Sequence, residues 1–428
     1  MTNANTSGAH LRWHIMAALT VALIGLAAAP GRSETQEVQD IIRRYVKARH
    51  TVNLRGRMLS VQPTANGVRT CSRRIVRRSD GRSLSVFETP AQERGAAIAD
   101  DGTWLIRYDP RDRVVRKKRS FQGVDARSVE RNVRLILRNY AVRREPDETV
   151  AGRNCRRLLL EPSRPRNLTV RLWIDAGTGV EMRRDEQDAA GNTISIMMYT
   201  SVEFPRTISL SEVTPAIPRG ARTVNISRSG LMTTGSEISK TARFPVRFPL
   251  ALPWGYEFDR GTVVEIAGRR SGFLRYTDGL SEITIIQSRS SPGGDPSMRA
   301  ARVIPRLYGE VEVDYALDDL QIVVVGRGEA RELIAMAETI SGARETAWRS
   351  AMARTFNSRA TAVGPMRDRG LSAEAIVALL TIAERAGPSP TVLLASYQAG
   401  WGWRDIARRW RVPEADINRR LQTMVGGK

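Results

Sequence analysis

Between Leu54 and Phe204 the chain is divided into short segments in which apolar and charged residues alternate, separated by turn-forming dipeptides. Successive side chains of a strand point to opposite faces, so alternation marks strands with one buried face. In VRLWID, Val170, Leu172 and Ile174 share one face against Arg171 and Trp173. In WLIRYDP, Trp104, Ile106 and Tyr108 oppose Leu105 and Arg107, and in TISIMMY, Ile194, Ile196 and Met198 oppose Ser195, Met197 and Tyr199. Strands are predicted over Leu54–Gln62, Thr70–Arg77, Leu84–Thr89, Ala96–Ala99, Trp104–Tyr108, Asn154–Glu161, Leu168–Asp175, Gly179–Glu186 and Thr193–Phe204. Two helices accompany them. Gln36–His50 carries Val38, Ile41, Ile42, Tyr45 and Val46 at helical spacing, and Ser128–Tyr140 is the second. Many antiparallel strands with few helices predict an α+β protein, a large curved sheet (half-barrel) covered by helices. Trp104, Ile106, Tyr108, Leu172, Ile174, Ile196 and Met198 are the candidate lining of a lipid-accepting cavity. A closed core under the helices is the competing reading.

The N-terminus adds a location. Ile15–Ala29 is an uncharged apolar run of 15 residues, preceded by Arg12 and followed by Pro30 and the small residues Gly31 and Ser33. That pattern is a secretory signal peptide over 1–33, cleaved near Ser33. A membrane span needs about 20 residues, which leaves an uncleaved anchor as the alternative. In either case the remainder lies outside the cytoplasm, in a periplasmic setting. No Cys near the exit supports a lipid anchor.

The formal net charge is +22, and +20 remains once Arg12 and Arg32 leave with the signal segment. Such a balance favours anionic partners: lipid head groups, lipopolysaccharide or acidic protein tails. Only Cys71 and Cys155 are present, and an oxidising compartment makes them a candidate disulfide. Of the histidines, His10 and His14 precede the cleavage site and His50 alone stays. The chain has no His-rich metal site, Gly-rich phosphate loop, GxSxG elbow or HExxH pair, so neither an enzyme nor a cofactor is expected. Asp100-Asp101 and Asp318-Asp319 are paired carboxylates only nominally, since both sit where turns want Asp.

The last 86 residues read as short helices: Glu345–Phe356, Ser372–Ala386, Ser389–Gln398, Trp403–Arg411 and Glu414–Met424. The stretch AGWGWRDIARRWRVPEADINRRL has the outline of a helix-turn-helix. Within it Trp403, Ile406, Ala407 and Trp410 fall at i, i+3, i+4 and i+7, opposite Arg404, Arg408 and Arg411. A helical bundle with these indoles in its core is one reading. Docking on an anionic membrane through Trp403, Trp410, Arg404 and Arg408 is another. Reading of DNA requires a cytoplasmic chain, which the signal peptide opposes.

The run SVFETPAQERGAAIADDGTWLIRYDP resembles the LolA and LolB lipoprotein carriers, with its Pro, Gly and Asp-Gly hairpin. The run from Val150 to Phe204, with Asp175 and Thr178-Gly179 closing its strand, is similar to the N-terminal domain of the MucB/RseB envelope-stress regulators. LPWGYEF, GFLRYTDGLSEITIIQSR and RLYGEVEVDYALDDLQIVVVGRGEARELIAMAETI resemble the smaller C-terminal domain of the same family, with a helix over Arg331–Ile340 placing Leu333, Ile334 and Ala337 inward. The expected division is a signal peptide at 1–33, an N-terminal domain at 34–205, a linker at 206–247, a C-terminal α/β domain at 248–342 and a helical extension at 343–428 that departs from the family pattern. The resemblance implies a non-enzymatic binding protein that holds the exported tail of a membrane anti-sigma factor. On the same grounds it would release that tail when acyl chains of lipoprotein or lipopolysaccharide bind. A LolA/LolB-type carrier of lipid or lipoprotein is the alternative.

Overall fold

The computed structural model describes residues 34–64, 67–120, 126–163, 168–266, 268–290, 301–305, 310–327 and 329–425. The signal segment at 1–33 lies outside them.

The N-terminal part opens with helix α1 (Glu34–Thr51), followed by β1 (Leu54–Thr64), β2 (Gly67–Arg77), β3 (Ser83–Thr89), β4 (Ala97–Asp100), β5 (Trp104–Asp109) and β6 (Val114–Arg119). Helix α2 (Ala126–Asn139) then leads into β7 (Tyr140–Val150), β8 (Arg153–Pro162), β9 (Thr169–Asp175), β10 (Glu181–Gln187) and β11 (Thr193–Glu203). After β12 (Arg222–Arg228) and α3 (Gly235–Ala242) comes the second part: β13 (Glu257–Ile266), β14 (Arg269–Thr277), β15 (Glu282–Arg289), β16 (Arg302–Pro305), β17 (Glu310–Leu317), β18 (Leu320–Arg327) and α4 (Ala330–Glu338). The extension holds α5 (Gly342–Phe356), α6 (Val363–Asp368), α7 (Ala373–Ala386), α8 (Pro390–Gln398), α9 (Trp403–Arg409) and α10 (Glu414–Met424).

Ladder pairings connect the strands into one open, curved sheet. Its first half runs β7-β8-β9-β10-β11-β1-β2-β3-β4-β5-β6, antiparallel throughout. Its second half runs β13-β14-β15-β18-β17-β16. Strand β12 joins the halves, pairing in parallel with β6 from Arg222↔Val114 to Ile226↔Lys118 and antiparallel with β13 at Ser227↔Glu265 and Arg228↔Val264. The segment expected as a linker therefore contains the strand that fuses two sheets, plus a helix capped by Thr234, whose side chain accepts from the Glu237 amide. Its Ser, Thr and Arg content resembles a linker because β12 is largely exposed.

In the first half of the sheet two strands escaped the sequence reading. Strand β6 is VVRKKR, four consecutive cations that hide any alternation. Strand β7 contains Pro146 and a register shift between Glu145 and Glu148, tolerable because β7 is the edge of its sheet.

The apolar faces are closed by helices. Ile42, Tyr45 and Val46 of α1 and Val133 and Ile136 of α2 pack on Leu158, Leu160, Val170, Leu172 and Ile174 of β8 and β9. A separate core in the second part unites α3, α4 and the β14-β15-β18 faces, including Ile238, Leu274, Ile285, Ile322 and Leu333. The extension has its own core around α7, where Ile376, Leu379, Leu380 and Ile382 meet Trp348, Phe356, Leu393, Trp403 and Ile417. At the turn between β14 and β15, Gly279 has φ +97° and lies so close to α2 that a Cβ there would meet Asn132 O at 2.9 Å. Only glycine permits that conformation and that approach together.

A candidate binding site at the domain junction

The expected lipid cavity does not form as one surface. Leu172 and Ile174 are buried under α1 and α2. Leu172 pairs with Arg184, and Arg184 with Met197, so Ile196 and Met198 face the opposite side of the sheet. Tyr108 belongs to another core, with Val76, Leu84, Ile208 and Val213, and Ile106 packs at its margin. Trp104 is half-buried, with the Lys117 ammonium 4.7 Å from its ring centroid. Period-2 spacing tells which residues of one strand share a face. It cannot match faces between strands without the register.

Two further expectations are corrected. Cys71 and Cys155 are both buried thiols outside any disulfide, on β2 and β8 with β1, β11, β10 and β9 between them. Trp403 is unavailable to a membrane: it is 5 % exposed in the core of the extension, and its indole N–H donates to Glu374 at 3.1 Å. Trp410 packs against the same core, Arg404 stacks on the Trp403 and Trp254 rings at 4.2 and 4.8 Å, and the exposed Arg408 pairs with Asp405. The bundle reading is the one realised, with an apolar face turned inward as the spacing required. Asp100 and Asp101 accept from the backbone amides of Gly102, Thr103 and Trp104, and Asp318 accepts from the Gly342 amide, so both nominal pairs serve turns and loops.

What the structure does assemble is a junction centred on α2. Its apolar side enters the core under the sheet, while Arg131, Arg134 and Arg138, spaced i, i+3 and i+7, share the other side. Arg131 pairs with Asp259 at 3.0 Å and Arg138 with the buried Glu257 at 2.7 Å, both on β13 of the second part. Burial pushes the Asp259 carboxyl up, but Arg275, Arg260 and Arg131 more than reverse this and hold it below the ordinary carboxylate range. Asn139 donates to the carbonyls of Gly255 and Asp278 at 3.0 and 2.9 Å. A few ångströms away Tyr140 donates to Asp278, and Arg327 pairs with Glu186, itself held by Arg184 at 2.7 Å. The i, i+3, i+7 arginine stripe was visible in the sequence of α2 and went unused, because a charged helix face usually meets solvent.

The extension closes the junction from a third side. Arg134 donates to the Ala399 carbonyl at 2.7 Å and its guanidinium lies 5.9 Å from the centroid of the Trp401 ring. Arg367, 3 % exposed, donates to the carbonyls of Phe248, Pro249 and Leu371 and pairs with Glu345 at 2.8 Å. Two cleft lobes of about 1060 and 620 Å³ remain open here, with Arg134, Leu252, Ser372 and Tyr397 contributing to both. Among the described residues no group of three or more His, Cys, Asp or Glu is placed to hold a metal ion. No described helix is long and apolar enough to cross a membrane.

The profile of the MucB/RseB N-terminal domain matches residues 37–217. The N-terminal part of this chain is a MucB/RseB domain. It contains α1, α2 and β1 through β11. The MucB/RseB domain therefore supplies the arginine stripe and the covered apolar sheet, while the second part supplies Glu257, Asp259 and Asp278. No sequence among curated proteins matches the chain significantly. Among solved structures, the MucA/MucB complex of Pseudomonas aeruginosa is 17 % identical, covering 70 % of this chain and 97 % of that one, with a TM-score of 0.49. A crystal structure of MucB is 15 % identical, covering 71 % and 96 %, with a TM-score of 0.44. A LolA superfamily protein of Nitrosomonas europaea is 13 % identical, covering 41 % and 97 %, with a TM-score of 0.22.

Proposed function

We propose that this chain is an exported, non-enzymatic binding protein that holds the extracytoplasmic tail of a membrane anti-sigma factor and loosens its hold when an acyl-bearing lipid or lipoprotein binds. The observation that carries the reading is the MucB/RseB domain over 37–217, joined through β12 to a second domain with its own core. Export rests on the apolar run Ile15–Ala29 and its small-residue exit. A net charge of +22 suits an acidic tail or an anionic lipid. The regulatory logic is a ligand with unequal affinity for two states of one complex. Because α1 and α2 cover the apolar sheet face, an acyl chain reaches Leu172 and Ile174 only by lifting a helix. A lipid that did so would strain the α2 junction, which couples lipid entry to the arrangement of the two domains.

The test is an in-cell crosslinking pull-down of the tagged mature protein, with proteins and lipids both identified by mass spectrometry. Capture of a single-span protein through its exported tail is the expected result. Recovery of lipid or lipoproteins without such a partner replaces the regulator by a carrier. A reporter fused after Lys428 and active only outside the cytoplasm checks export separately.

A further inference from the structure

The cleft beside α2 is built by three parts of the chain that meet only in the folded protein. One wall is the α2 stripe, a second is the Leu252–Arg260 segment, and the third is the extension from Arg369 to Arg408. The third wall lies wholly outside the region matched by the MucB/RseB profile. Trp401 is 44 % exposed on this wall, a large indole held open to solvent rather than folded into the neighbouring core. Trp254 is half-buried opposite, with Arg404 stacked on it at 4.8 Å. Arg134 sits between the lobes. Among the described residues no carboxylate pairs with it: a carbonyl and an indole face hold it instead. Arg369 and Arg408 are exposed at the two ends.

We propose that this cleft is a peptide-binding site, taking an extended acidic segment that seats an aromatic or leucine side chain against Trp401 and Trp254 and a carboxylate on Arg134. The lining chooses between occupants. An acyl chain would displace water from Arg134, which has no carboxylate partner among the described residues, and from the exposed Arg369 and Arg408, without offering them an anion. An acidic peptide brings side-chain carboxylates for these arginines, while Glu130, Asp259, Glu374 and Asp405 keep the partners they have within the protein. Indoles and arginines are the side chains that carry most binding energy in such sites. The proposal rests on these residues and does not depend on the anti-sigma reading.

The test uses the full mature chain and fluorescence anisotropy with a labelled twelve-residue peptide alternating Glu with Leu and Phe. Its control carries Lys in place of Glu. The acidic peptide should bind and weaken as salt rises, with the lysine peptide at least about tenfold weaker. Trp401→Ala and Arg408→Ala, both at exposed positions, should each reduce affinity about tenfold or more. Arg69→Glu, exposed on the far hairpin, should leave it unchanged. Absence of binding by the acidic peptide overturns the proposal, as does equal binding by the Trp401→Ala and Arg408→Ala variants. Binding of phosphatidylglycerol vesicles that those two variants abolish, without peptide binding, would reassign the cleft to lipid.

Discussion

The hydroxyl of Tyr140, the first residue of β7, donates to Oδ2 of Asp278 at 2.6 Å across the seam between the two domains, and both side chains are buried. The same carboxylate accepts from the amides of Leu280 and Ser281 at 2.9 and 2.6 Å, so one Asp shapes the turn and receives the neighbouring domain. Tyr140→Phe removes the bond while keeping the ring. A loss of about 1.5–3 kcal/mol is expected from the unfolding free energy in urea, as for a hydrogen bond to a charged group.

Acid titration should separate Asp278 from Glu186. Burial pushes the Asp278 carboxyl above its ordinary value of 3.8 despite its three donors. A carboxyl raised on folding keeps its proton after the unfolded chain has lost it, so its contribution falls as pH climbs from 3.8 through the folded value and then levels. Asp278→Asn has no proton to lose. Its stability relative to wild type should therefore rise over that interval, read as the difference in urea midpoints at acid and neutral pH. A flat difference would count against the assignment.

Glu186 has the opposite sign. Burial pushes its carboxyl up, but Arg184 and Arg327 outweigh that and leave it below the ordinary value of 4.5. Its stabilising contribution is complete above 4.5 and is lost as pH falls through the folded value. Glu186→Gln leaves two arginines facing a neutral group. At neutral pH it should cost about 3–5 kcal/mol, as expected for breaking a buried ion pair from one side. That gap should narrow as the wild type is acidified.

The two thiols should behave as buried cysteines outside any disulfide. Burial pushes the Cys155 thiol up to about 11. Alkylation at pH 8 should thus be slow in the folded protein and reach both cysteines on unfolding, counted by mass. Reductant should leave the thermal midpoint unchanged. A reductant-sensitive midpoint would restore the disulfide.

Arg367 fastens the extension to the second domain through the carbonyls of Phe248 and Pro249, and is held within the extension by the Leu371 carbonyl and Glu345. Arg367→Met keeps most of the volume and none of the bonds. It should leave Glu345 and the three carbonyls short of a donor, cost about 3–5 kcal/mol, and make trypsin cleave first near Arg354 and Arg359.

Much of the sheet was legible because alternation survives wherever one face is buried, as in VRLWID. It failed at β6, where Lys117, Lys118 and their arginine neighbours carry the ladder with little apolar content, and at β7, where Pro146 signals an interruption. The helices of the tail were placed by caps such as Ser372, whose side chain accepts from the Ala375 amide. The candidate site was largely hidden. Which face of β11 joins Leu172 depends on a register that local spacing does not encode, and the partners of Arg131 and Arg138 lie more than a hundred residues away. The exposed Trp401 lies outside the Trp403, Ile406, Ala407 and Trp410 stripe, and nothing in AGWGWRDIARRW says that it borders a cleft.

Strand β12 also sets an order of assembly. Synthesis delivers residues 37–217 before 222–228, so for that interval β6 has β5 on one side and nothing on the other. An unpaired strand edge is a template for the wrong neighbour. Here the waiting edge is Arg116-Lys117-Lys118-Arg119, whose like charges repel a second copy of themselves. The four cations that obscured β6 in the sequence thus act as a guard on an unfinished sheet. A chain stopped at residue 217 would keep that edge open permanently, and its solubility would depend on those cations alone.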